Sequence, residues 1–194
     1  MKQKFSIVFC LAYSLFMAYL ALQFSQAEDQ VKSMLVAGSG VVLGLIPAIL
    51  VKWTRTPFSS LMNISYIAFL FSSQYLGTIR HWYGLGWWDT FIHFISGLML
   101  AFIAKATFEH FFRSLEKMTV PIAKFLFILS FSALGAVLWE IYEFSGDQFF
   151  ATTMQGGGNF DTMTDMIAGV IGGLIVASYA GIRARVSSDN SHRN

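Results

Sequence analysis

Apolar residues gather along this chain into six stretches, each near the roughly twenty residues that an α-helix needs to cross a hydrocarbon core about 30 Å thick. They run approximately over residues 5–24, 34–51, 61–79, 90–108, 122–144 and 162–182. The connections between them are short, and no Pro/Ser linker, charge block or internal repeat marks a boundary. The pattern predicts an all-α protein: one integral membrane domain over residues 1–194, folded as a polytopic transmembrane bundle of about six helices.

Composition agrees. At 55% hydrophobic and 12% charged residues, the chain has too little polar surface for an ordinary soluble domain. A net charge of +2, without any basic run that has aromatic residues interleaved for base stacking, argues against a nucleic-acid partner and leaves membrane lipids as the expected surroundings. Cys10 has no second cysteine to pair with, so an intramolecular disulfide is excluded.

The N-terminal stretch MKQKFSIVFCLAYSLFMAYLALQFSQA has a basic tip, an apolar run and the small-x-small ending Ser25, Gln26, Ala27 of a secretory signal. Its apolar run is longer than a usual signal core, which favours an uncleaved first helix. Cleavage would leave five helices in the same orientation. That orientation follows from the basic residues. Lys2, Lys4, Lys52, Arg55, Lys105, Arg113, Lys117, Lys124, Arg183, Arg185 and Arg193 fall at the N-terminus, in or beside the second and fourth loops, and at the C-terminus; the other loops hold only Lys32 and Arg80. Both termini are therefore expected on the cytoplasmic side.

With this orientation, three polar pairs meet at the outer ends of the last three helices. Asp89 with His93, Glu140 with Glu143, and Asp161 with Asp165 are spaced four, three and four residues apart, which places each pair on one helix face. Those faces continue as small residues: Ser96, Gly97, Ala101 and Ala104; Ser132, Ala133 and Ala136; Gly169 and Gly173. Small stripes let helices approach closely in lipid, so the three pairs are expected to line a common cleft.

Simpler readings compete with this one. Asp89 and Asp161 stand at helix starts, where capping of free N–H groups accounts for either equally well. A lone His93 would serve as a packing residue. Glu140 and Glu143 resist such an account, because carboxylates near a helix C-terminus oppose the dipole and are expensive at membrane depth. Trp82, Trp87, Trp88 and Trp139, with Tyr83, read as an interfacial aromatic belt. Arg80 and His81 fit either counter-charges or a plain interfacial position. The TMQGGGNFD segment fits a flexible connection or a backbone nest for an anion.

The segments WDTFIHFISG, WEIYEFSGD and DTMTDMIAGVIGG together resemble the YjdF-like family of bacterial inner-membrane proteins, over about residues 60–182. That resemblance implies a multi-pass protein of the bacterial inner membrane and supplies no reaction. An Asp/His start, a later Glu and a final Asp before a Gly-rich helix are more distantly similar to the VanZ-like membrane proteins, although the Gln and Arg that follow the Glu there are not reproduced.

Carboxylates this close raise one another's pKa unless protons or a cation intervene. Oxygen ligands with one imidazole suit a divalent ion such as Mg, Mn, Fe or Zn, and all six residues, Asp89, His93, Glu140, Glu143, Asp161 and Asp165, are candidate ligands. A metal-dependent hydrolase acting on a lipid-linked or envelope substrate would use Glu140, Glu143, His93 and Asp165 as ligands or general base, with Asp89 and Asp161 orienting them. A cation- or proton-coupled carrier, or a non-catalytic assembly subunit locked by its polar cluster, are the alternatives.

Overall fold

In the computed structural model the backbone is described for residues 2–27, 30–54, 60–112, 121–150 and 152–191. The side chains of Lys2, Lys4, Lys52, Arg55, Arg113, Lys117 and Arg193, on which the expected orientation partly depends, lie outside the described residues. Every expected apolar stretch is helical: α1 (Lys2–Phe24), α2 (Val31–Thr54), α3 (Ser60–Leu70) with its continuation, α4 (Trp88–Phe111), α5 (Pro121–Phe150) and α6 (Asn159–Ser191). Among the described residues there is no strand, and α1, α2, α4, α5 and α6 are long and apolar enough to cross a membrane. The protein is a helical membrane bundle.

Most helices outrun the expected stretches because hydropathy marks the part that suits hydrocarbon, whereas backbone hydrogen bonding continues into polar sequence. The largest extension is at α5. Residues 145–160 read as a connection, yet α5 runs on to Phe150 and the connection shrinks to the eight residues 151–158 before α6. The third stretch differs in kind. Ser60–Leu70 is α-helical, and Phe71–Ile79 continues it with π-helical bonding, closed by Arg80 N–H donating to the Tyr75 carbonyl at 2.8 Å.

The chain divides into two compact units, Met1–Asp89 and Thr90–Asn194. In the first, Cys10, Tyr13 and Met17 of α1 pack with Ala37 of α2 and Ile67 and Leu70 of α3. Pro47 lies inside α2 and cannot donate to the carbonyl of Leu43, one turn earlier. The Tyr66 hydroxyl donates to that carbonyl instead, at 3.1 Å. A second cross-helix link runs from the Tyr13 hydroxyl to Gln74 Oε1 at 2.6 Å, and from Gln74 Nε2 to Ser39 Oγ at 3.2 Å.

In the second unit, helices approach through the small residues that the sequence aligns. A Cβ on Gly97 would strike the Gly169 backbone, and one on Gly172 would strike the backbone of Phe94 and Leu98. Gly173 sits 2.5 Å, measured from an ideal Cβ, from Ser132 Oγ, and that hydroxyl donates to the Gly97 carbonyl at 3.0 Å. The buried face of α5 is Lys124, Ile128, Ser132, Ala136, Glu140, Glu143 and Gly146, a single stripe of period near four that carries both glutamates. Ala101, Ala104, Ile128, Val176, Ala177 and Ala180 form its apolar core. Lipid-facing positions such as Phe102, Leu134, Leu138, Ile141, Ile171 and Ile175 are exposed large hydrophobics, as a bundle without water around it requires.

Candidate functional site

Three helices bring polar groups to one end of the second unit: the first turns of α4, the last third of α5 and the first turns of α6. His93 is set one turn into α4, directly before the Gly97 contact, and the close α4/α6 packing carries it toward Asp165. Its Nε2 lies 4.0 Å from Asp165 Oδ2, and its Nδ1 lies 3.7 Å from Glu140 Oε1. The imidazole thus has a carboxylate on each side. Asp165 is 1% exposed, and Glu140 and His93 are each 5% exposed. Both separations exceed a direct hydrogen bond. The Nε2–Asp165 separation would suit two donors around one ion, since ligands about 2.0–2.2 Å from a metal lie some 3–4 Å from one another.

Asp89 completes the group. It stands in the first turn of α4, four residues before His93, and the ligand atoms of Asp89, His93 and Asp165 all lie within 4.8 Å of one another. The other expected ligands are placed differently. Glu140 lies on the Nδ1 side of His93, and its Oε1 is buried with no hydrogen-bond partner among the described residues. Glu143 is buried on the same face of α5 and accepts a hydrogen bond from Trp139 Nε1 at 2.8 Å. Asp161 is half-buried in the first turn of α6, near enough to Glu140 to act on it electrostatically.

Nearby, Thr162 Oγ1 accepts a hydrogen bond from Gln155 Nε2 at 2.7 Å. Gln155 belongs to the short connection before α6, which folds back on α5. Asp147, one turn beyond Glu143, organises that fold: Oδ1 accepts from the Thr152 hydroxyl at 2.6 Å and from Met154 N–H at 2.8 Å, and Oδ2 accepts from Gln155 N–H at 2.9 Å. The connection does cradle an anion with its backbone, and that anion is the chain's own Asp147. Gly146 allows the approach, since a Cβ there would sit 2.9 Å from Thr152 Oγ1. Sequence reasoning passed over Asp147, Gln155 and Thr162. The available signal was a carboxylate followed at short range by a Thr and a Gly-rich turn, the makings of a self-capped loop.

Of the aromatic residues expected at the interface, Trp82, Trp87 and Trp139 are exposed, whereas Trp88 is buried and stacks edge-on against Trp82 and Trp87. At the other end of the second unit, Glu109 accepts from Lys105 at 3.0 Å and from Lys124 at 2.9 Å. That cluster lies about 24 Å along α5 from Glu140, at 1.5 Å per residue.

A family model described as a predicted membrane protein (DUF2238) matches residues 7–185. The chain belongs to this family. The family is the one the three motifs resemble, and the match covers all of them. No curated protein and no solved structure matches the chain. For this DUF2238 member, chemistry must therefore be argued from the side chains themselves.

Proposed function

We propose that this protein binds a divalent cation through Asp89, His93 Nε2 and Asp165, at the end of the bundle that faces out of the cell. The observation that carries the reading is the convergence of two carboxylates and one imidazole within 4.8 Å, with His93 and Asp165 buried and Asp89 half-buried. A buried histidine and a buried aspartate beside a second, half-buried carboxylate favour a bound cation, and this donor set suits Mn, Fe, Zn or Mg. The unpartnered Oε1 of Glu140 beside Nδ1 supports the same reading, because a histidine that ligates a metal usually has a carboxylate on its other nitrogen. Asp161 adds a further carboxylate near Glu140.

The cation would polarise a water or an ester at the lipid interface, which makes a hydrolase acting on a lipid-linked envelope substrate the best-supported activity. A carrier needs polar groups that continue along the helices. The hydroxyls next in line are occupied: Ser96 donates to the His93 carbonyl at 2.8 Å and Ser132 to that of Gly97 at 3.0 Å. This favours a one-ended site.

Metal analysis and thermal unfolding of the purified protein test the reading. Chelation is expected to lower the wild-type melting temperature, since a ligand at a hundredfold excess over its Kd stabilises by about 2.7 kcal/mol. Asp165→Asn should lose that response. Glu109→Gln should be less stable throughout, because Lys105 and Lys124 lose their shared partner, yet keep the response to chelator. A wild type that carries no divalent ion and ignores chelator would leave a cluster that only locks helices together.

A further inference from the structure

We infer that the polar end of the second unit takes a lipid headgroup that carries an amine and no net negative charge, because its ready-made anion sites are already filled by the chain's own carboxylates. This selectivity presupposes the cation site proposed above and names the class of substrate for it.

Proteins hold anions with helix N-termini, with runs of backbone N–H groups, or with Lys and Arg. Asp89 stands in the first turn of α4 and Asp161 in the first turn of α6, so each meets the positive end of a helix dipole. The Asp161 carboxylate lies over the turn that leads into α6, its Oδ1 3.3 Å from where a Cβ on Gly157 would stand. The N–H groups of Met154 and Gln155 both donate to Asp147, which also takes the Thr152 hydroxyl. The fixed cations are at the other end: among the described side chains of Thr90–Asn194, the lysines and arginines are Lys105, Lys124, Arg183 and Arg185.

What this end leaves open is an acceptor. Glu140 Oε1 is buried with no hydrogen-bond partner among the described residues. Trp139 and Tyr142, with ring centroids 5.4 Å apart, are exposed on the same stretch of α5 and supply aromatic surface of the kind that attracts an ammonium group. A headgroup with net negative charge would meet carboxylates on α4, α5 and α6, and a divalent ion offsets the charge of only two. An amine-bearing headgroup with no net negative charge is spared that repulsion.

The test loads detergent-purified protein with Mn(II) and reads the broadening that the ion causes in the phosphorus resonance of short-chain lipids, which reports headgroups close to the site. Asp165→Asn, without the ion, sets the background. Phosphatidylethanolamine should be broadened severalfold more than phosphatidylglycerol of the same chain length and concentration. Glycerophosphoethanolamine, the same headgroup without acyl chains, should be broadened less than the lipid. Asp161→Asn keeps an oxygen at the start of α6 and removes its charge, so the gap between the two lipids should narrow. Equal broadening of the two lipids, or a preference for phosphatidylglycerol, would overturn the inference and spare the cation site, whether or not Arg80→Gln in the first unit removes that signal. Broadening of glycerophosphoethanolamine as strong as that of the lipid would replace the lipid by a soluble amine, and an unchanged gap in Asp161→Asn would overturn the filled anion sites as its cause. Absence of Mn(II) binding by the wild type would overturn both readings.

Discussion

A carboxylate that accepts three hydrogen bonds organises the segment around it, and Asp147 does so for residues 152–155. Two of its donors are backbone N–H groups, which would otherwise need water or another acceptor. Asp147→Ala should therefore release the connection before α6. Limited proteolysis is expected to cut near Gly156–Gly158 in that variant and to spare the wild type. Equal protease resistance would show that the loop is held by other contacts. At this scale the sequence exposes residue types and spacings, and so His93, Asp165, Glu140 and Asp89 were legible as candidates. The donor to Glu143 was not, because Trp139 reads as an interfacial ring.

At the scale of elements, close approach through glycine decides how α4, α5 and α6 pack. Gly173→Leu must displace Ser132, whose hydroxyl also bonds α4, and Gly169→Leu must displace Ala136, 3.0 Å from where its Cβ would stand. Both should lower the melting temperature in detergent, with an overpacking loss of about 1–3 kcal/mol or more each. Gly38→Ala, at a position with open space around it, should be close to neutral. In α2, Pro47 frees the Leu43 carbonyl and Tyr66 takes it up. Tyr66→Phe should cost about 1 kcal/mol by thermal or denaturant unfolding, the net worth of one hydrogen bond plus the orphaned carbonyl. The stripe of small residues was legible from the sequence because it repeats at helical spacing. The π-helical run at Phe71–Ile79 was not, since apolar content is the same for either kind of turn.

Across the whole molecule, the distribution of basic residues predicts that the polar end of the second unit faces away from the cytoplasm. Lys105 and Lys124 sit at the opposite end of α4 and α5 from His93 and Glu140. A cysteine placed at Gly157, which is exposed, should react with an impermeant thiol reagent in intact cells once any outer barrier is permeabilised. Cys10 is fully buried and should give little background. Labelling that appears only after the inner membrane is lysed would reverse the orientation.

The sequence by itself determined the membrane-spanning stretches, the all-helical class and the three polar pairs, because each depends on one-dimensional quantities: run length, hydropathy and the three- to four-residue repeat of a helix face. The tertiary structure alone decided which of those acids meet. Whether a carboxylate faces an imidazole at 3.7 Å or bonds an indole on its own helix depends on how far each helix is rotated and how closely it packs. That rotation is set by the contact of Gly97 with Gly169 and of Gly172 with Phe94, where the absence of a Cβ brings α4 and α6 together. Spacing places Glu140 and Glu143 on one face; backbone contact several residues away selects Glu140 as the partner of His93.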